Sequence, residues 1–215
     1  MWCVPALDEE FIERMEDILD LYERPYDPRM PVVCLDERPV QLHDDAREGM
    51  ALRAGRPERY DYEYVRKGTA NVFCGVQPLA GRHFAKATPD RSGAQFAQVL
   101  REIGRRYPRA TTIHLVVDNL STHTEKPLIR HLGPRRGARL WRRFTVHYTP
   151  KHGSWLNMAE MEISLLNRQC LSGRRLPTLR RLRSEVRAWE RDVNANRTRI
   201  SWRFTKRDAR KRFDY

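Results

Sequence analysis

No run of apolar residues in the 215-residue chain reaches the length of a bilayer-spanning helix, and no signal-peptide pattern opens it. A membrane-embedded or exported protein is therefore not expected. Cysteine is scarce. Cys3, Cys34, Cys74 and Cys170 lie far apart and never form a C-x-x-C pair, which argues against structural zinc and against a disulfide framework. Buried free thiols in a reducing cytosol are the simplest expectation. The seven histidines show no ligand spacing either. No repeat and no low-complexity linker interrupts residues 31–215. At 40% hydrophobic residues, the chain can build one domain with a substantial core.

Acid is scarce too, but only after residue 50. Residues 1–50 hold 5 Lys+Arg and 14 Asp+Glu, a net of −9; the rest hold 36 and 14, a net of +22. The whole chain carries +13, with a pI of about 10.1. A basic body of this size suits a polyanion. The plain alternative is a solvated arginine-rich surface.

Three acids interrupt apolar stretches. Pro31–Asp36 (PVVCLD) and Thr112–Asn119 (TIHLVVDN) each read as a buried strand with a carboxylate where strand gives way to loop. Residues 147–167 (HYTPKHGSWLNMAEMEISLLN) read as a strand end, a tight loop at Pro150 and Gly153, then a helix capped by Ser154. At about 100° per residue, Asn157, Glu160, Ser164, Asn167 and Arg168 form a polar stripe on a helix that is otherwise apolar. A carboxylate buried there needs a partner. Ligands of open α/β sheets sit beyond strand ends, so Asp36, Asp118 and Glu160 are expected to meet. Three carboxylates are the hard oxygen donors that Mg²⁺ or Mn²⁺ prefers, and two such ions suit phosphoryl chemistry. Glu162 points about 200° away from Glu160 around the helix and is not expected in the site.

The remaining pattern is α/β. Residues 8–24 read as an acidic amphipathic helix ended by Pro25 and Pro28, and 38–68 as a long polar excursion. Strands at 68–76 and 82–87 flank a turn at 78–81. A helix follows Ser92 and ends at Pro108, and a short helix capped by Ser121 or Thr122 runs to Leu132. Arg135, Arg136, Arg142 and Arg143 lie between the second and third acids. Arg174, Arg175, Arg180, Arg181, Arg183 and Arg187 interleave with Leu179, Leu182, Val186 and Trp189, giving a helix with a cationic face suited to DNA backbone. Trp202, Phe204 and Phe213 are expected to pack the last helix.

LDE at 35–37, VVDNLSTH at 116–123 and HYTPKHGSWLNMAE at 147–160 resemble the DDE transposases of the bacterial insertion-sequence-630 family, relatives of the mariner elements. WCVPALDEEFIERMEDILDLYERP, GRPERYDYEYVRKGTANVF and WRFTKRDARKRF resemble it as well, so the likeness covers nearly the whole chain. It implies an RNase H-like (retroviral-integrase-like) α/β fold, with a mixed five-stranded sheet flanked by helices. Residues 1–30 would be a linker helix, and 31–215 a catalytic domain with basic C-terminal helices at 174–215. Asp36, Asp118 and Glu160 would be the catalytic, metal-binding acids. Asn119, His123 and Asn157 are expected to support them. Lys151 and His152 are expected to join the arginines above in contacting DNA.

The implied activity is metal-dependent strand cleavage and strand transfer in cut-and-paste transposition into TA targets. It would be carried out by a homodimer holding element ends and target DNA in a bacterial cytoplasm, associated with the nucleoid. Full-length members carry an N-terminal helix-turn-helix region, and nothing before Met1 would hold one. Two alternatives follow from that. One is a truncated, non-catalytic DNA-binding or dimerising remnant. The other is the downstream half of a frame-split transposase, acting with a separately encoded N-terminal DNA-binding half.

Overall fold

The computed structural model describes residues 7–47, 49–50, 53–57 and 61–215; Cys3 lies outside them. Five strands form one sheet: β1 (Val32–Asp45), β2 (Tyr64–Gln77), β3 (Arg82–Thr88), β4 (Ile113–Val117) and β5 (Phe144–Tyr148). Their spatial order is β3-β2-β1-β4-β5. The first three are antiparallel neighbours, while β4 and β5 run parallel to β1. This is the RNase H-like mixed sheet that the family resemblance implied.

Helices cover both faces. Helix α2 (Gly93–Arg106) buries Phe96, Val99, Leu100 and Ile103 against Val33, Leu35, Leu115 and Val117. Helix α3 (Glu125–Leu132) adds Leu128 to that layer. On the other face lie α1 (Glu9–Glu23), α5 (Ala159–Leu166), α6 (Leu179–Asn196) and α7 (Lys206–Phe213). The alternation along β1 and β4 divides the faces: Val33, Leu35 and Leu115 point one way, Cys34 and Val116 the other. Cys34, Cys74 and Cys170 are buried and free. Among the described residues no helix is long and apolar enough to cross a membrane.

Helix α1 is part of this packing. Asp8 caps it by accepting the Phe11 N–H, and Met15, Ile18 and Leu19 are fully buried beside Cys34, Val116 and Leu156. Its acidic outer face binds α7, where Arg210 makes a paired contact with Glu16 and Lys206 reaches Asp20. Trp155, Trp202, Phe204 and Phe213 pack around this junction.

Four local expectations are corrected. Residues 38–45 are not an excursion: β1 runs nine residues past Asp36, pairing with β2 as far as Asp45↔Tyr64. An antiparallel partner lets β1 continue after its parallel pairing with β4 stops at Cys34↔Val116. Asp36 therefore sits inside a strand, whereas Asp118 follows one. The helix after Asp118 starts at Glu125, behind Thr124 rather than Ser121 or Thr122. A further helix, α4 (Pro134–Trp141), occupies the arginine-rich segment before β5. Lastly, Ser154–Leu156 forms a separate 3₁₀ turn, and α5 begins at Ala159 behind Asn157, whose Oδ1 accepts the Ala159 N–H.

Candidate active site

Asp36 lies on the face of β1 that carries Cys34, and its Oδ1 accepts the Glu37 N–H at 2.7 Å. Burial raises its pKa to about 7, with further upward pushes from the charges of Glu37, Asp118 and Glu160. The parallel register Cys34↔Val116 carries Asp36 and Asp118 side by side, and the Asn157 bond to Leu35 brings the head of α5 alongside. Asp118 stands just beyond the end of β4. Glu160 is the second residue of α5 and is exposed, so the notion of a buried Glu160 is corrected. Ser164 and Arg168 share this exposed face, and Asn157 alone of the stripe is deeply buried.

The three acids fit a divalent cation by donor chemistry, since all are hard carboxylates. Among the described residues no three His, Cys, Asp or Glu side chains stand close enough to share one ion as they are placed. Asp118 explains part of this. His123 Nδ1 lies 2.6 Å from its Oδ1 and 3.2 Å from its backbone oxygen.

His123 is almost fully buried and also contacts Glu37, with Nε2 3.3 Å from Oε2. Burial opposes the charged imidazole, but the hydrogen bonds and charges of Asp118 and Glu37 prevail and lift its pKa to about 9. That shift favours the protonated imidazole, which stands beside Asp118. Its ring also packs 4.6 Å from Phe96, and Tyr148 Oη donates to its carbonyl. From sequence, Glu37 next to Asp36 reads either as a supporting group or, as most such neighbours are, as solvated; the structure buries it. Its side chain is 2% exposed, because it points to the α2–α3 face, opposite Asp36. Strand alternation held that signal, since the neighbour of a site acid must face the other layer.

Asn157 donates from Nδ2 to the Leu35 carbonyl at 2.9 Å, tying the start of α5 to the residue before Asp36. Asn119 is exposed and does not bond Asp118; it lines a cleft of about 810 Å³ with Asp118, Arg14, Lys151 and His152. His152 adopts φ 64 in that loop. The six arginines of the 174–187 segment divide into two groups. Arg175 binds Asp45 and the Asp61 carbonyl, Arg174 and Arg181 both bind Glu185, and Arg183 donates to the Ala87 carbonyl. Arg180 and Arg187 are exposed on α6 without an ion pair among the described residues.

A buried strand acid, a second acid after a parallel neighbour and a third at the head of a helix over the same sheet define a class of RNase H-like nucleases. The chain belongs to the DDE superfamily endonucleases: that family's model matches residues 31–183, spanning all three acids. Solved structures share the fold. The Mos1 mariner paired end complex with Mn aligns at a TM-score of 0.56 and 16% identity, over 89% of this chain and 58% of that one. The Mos1 paired end complex with Mg aligns at 0.56 and 16%, over 100% and 63%. The Mos1 strand transfer complex aligns at 0.55 and 15%, over 92% and 61%. This chain therefore spans about three fifths of those chains. A search of curated protein sequences finds no significant match.

Proposed function

We propose that the chain is the catalytic part of a transposase of the insertion-sequence-630 and mariner type, cleaving DNA strands and joining the freed 3′ ends to target DNA. The observation that carries this is the convergence of Asp36, Asp118 and Glu160 within the matched family region: Asp36 and Asp118 continue the parallel register Cys34↔Val116, and Asn157 ties the head of the helix bearing Glu160 to Leu35. Asp36, Asp118 and Glu160 would hold two Mg²⁺ or Mn²⁺ ions. Bound there, the ions supply charge neutralisation at the phosphodiester and activation of the attacking water. The Mos1 mariner paired end complexes that share the chain's fold include one with Mn and one with Mg.

The chain's own residues supply placement. His123 fixes Asp118 and neutralises Glu37. Asn157 fixes the head of α5 against β1. Lys151 and His152, on the cleft that holds Asp118, and the free guanidinium groups of Arg180 and Arg187 suit phosphate contact. The substrate is double-stranded DNA at element ends and targets, held by a homodimer in a bacterial cytoplasm near the nucleoid. A separately encoded end-reading half is compatible with this arrangement.

The test is cleavage of plasmid or oligonucleotide duplex in Mn²⁺ and Mg²⁺, with Asp36→Asn and Asp118→Asn as controls. Wild-type cleavage lost in both variants supports the reading. Metal-independent cutting, or cutting that persists in both variants, sinks it.

A further inference from the structure

A second carboxylate on α5 has no place in the chemistry above, yet it is more deeply buried than any of the three acids. Glu162 is 1% exposed and sits under the helix, with His83 Nδ1 3.0 and 2.9 Å from its two oxygens. His83 is 2% exposed and lies on β3 in the cross-strand row Cys34↔Val76↔His83, two residues along β1 from Asp36. The backbone of His83 is held in turn by α6: its N–H donates to Asn194 Oδ1 at 2.9 Å, and its carbonyl accepts from Asn194 Nδ2 at 2.9 Å. Burial disfavours the charged imidazole, but the Glu162 contact outweighs it and raises the His83 pKa. Burial likewise pushes Glu162 up, with His83 pulling against it.

Polar atoms are costly to bury, and an apolar pair of similar volume is often as stable or more so. A buried ionic contact under an otherwise apolar helix therefore invites an explanation beyond stability. Its position offers one. Helix α5 is only eight residues long and passes directly into a π-helical turn (Asn167–Leu171). Apolar contacts alone fix the rotation of so short a helix weakly. Two directional contacts bracket Glu160: Asn157 to the Leu35 carbonyl three residues before it, and Glu162 to His83 two residues after it. Glu160 and Glu162 differ by about 200° around the helix. Fixing Glu162 inward thus fixes Glu160 on the exposed side of the helix.

We infer that the Glu162–His83–Asn194 contact is a positioning clamp that sets the rotation of α5, and with it the place of Glu160 among the acids. It also joins the cationic helix α6 mechanically to the helix bearing the third acid. The inference rests on the transposase reading of Asp36, Asp118 and Glu160. Neither Glu162 nor His83 is a catalytic residue in this view; they act through Glu160.

The experiment replaces the clamp by an apolar pair, His83→Phe with Glu162→Leu, and compares it with Glu162→Gln, which keeps one acceptor oxygen. Melting temperature, duplex DNA Kd and single-turnover cleavage in Mn²⁺ are measured for each. A displacement of about 1 Å at a reacting group can cost on the order of 100-fold in rate. The expected result for the apolar pair is a wild-type melting temperature and DNA Kd with cleavage lowered at least tenfold. Glu162→Gln should recover part of that rate. Cleavage at the wild-type rate in the apolar pair would overturn the clamp and leave Glu162–His83 as packing alone. If the apolar pair does not fold, Glu162→Gln decides: a folded variant with wild-type cleavage and wild-type Mn²⁺ affinity also overturns it. If the wild-type protein itself does not cut, the underlying transposase reading has failed, a result distinct from failure of the clamp.

Discussion

Single residues carry the chemistry, and their exposure sets what substitution does. Glu160 is exposed, so Glu160→Gln should cost little stability, within the roughly 0.5 kcal/mol usual for surface changes. On the transposase reading it should lower strand cleavage by at least 100-fold; normal cleavage by this variant would move the third acid elsewhere. The three acids were legible in sequence because each interrupts an apolar run. Of the groups behind them, His123 was expected from the resemblance, but the pairs His123–Glu37 and His83–Glu162 were not legible, because each forms only when separate elements stack. A second residue-scale test lies at the other end of the sheet. His114 Nδ1 is 2.9 Å from His147 Nε2, and His147 Nδ1 is 2.6 Å from Asp17 of α1. Burial first, then the charges of His147 and Arg24, lower the His114 pKa to about 4, with Asp17 acting in the opposite direction. Between pH 4 and the ordinary 6.5 the unfolded chain thus binds a proton that the folded chain refuses. The stability is fully present above pH 6.5, is lost as pH falls from there towards 4, and levels off below. The loss is about 3 kcal/mol at most. Urea unfolding at pH 7.5 and pH 5 should show this fall, and His114→Gln should flatten it. An equal fall in the variant would assign the pH dependence to other groups.

At the scale of elements, the most regular segments were the most legible. Helix α1, the helix after Ser92, the hairpin of β2 and β3 and the two parallel strands all follow apolar spacing. The failures came where spacing was absent or broken. The distal half of β1 is a polar ribbon beside β2, so alternation is weak there; only Val40 and Leu42 touch the core under α6. Helix α4 was missed because its sequence, PRRGARLW, offers few apolar positions. It packs through Gly137 instead. A Cβ at Gly137 would lie 2.6 Å from the backbone of Leu128 and Ile129 on α3, closer than any side chain tolerates. Alanine normally favours a helix over glycine by about 1 kcal/mol. Here Gly137→Ala should nevertheless destabilise, by about 1–3 kcal/mol of overpacking. Chemical denaturation measures it, and a stabilised variant would mean that α3 and α4 separate more readily than their close approach implies.

At the scale of the molecule, charge is segregated in sequence but partly neutralised in space. The acidic first 50 residues include α1, and its Glu16 and Asp20 bind the basic α7. The ribbon acid Asp45 binds Arg175, and Glu185 takes up both Arg174 and Arg181. The formal +13 therefore overstates some basic segments and describes others well. This difference is open to measurement. Each phosphate neutralised by a cation lowers log K by about 0.9 per decade of salt on duplex DNA. An arginine already paired with a carboxylate must give up that partner to reach a phosphate, whereas Arg180 and Arg187 need give up none. The double change Arg180→Ala with Arg187→Ala should reduce the salt slope of duplex binding by about 1.8, two contacts' worth. The control pair, Arg175→Ala with Arg210→Ala, removes the same formal charge and should change the slope by much less, because Asp45 and Glu16 are released at the same time. Fluorescence anisotropy on a nonspecific duplex between about 50 and 200 mM salt separates the two. Equal slopes for both double variants would mean that net charge alone governs binding, and that the unpaired face of α6 has no special part in holding DNA.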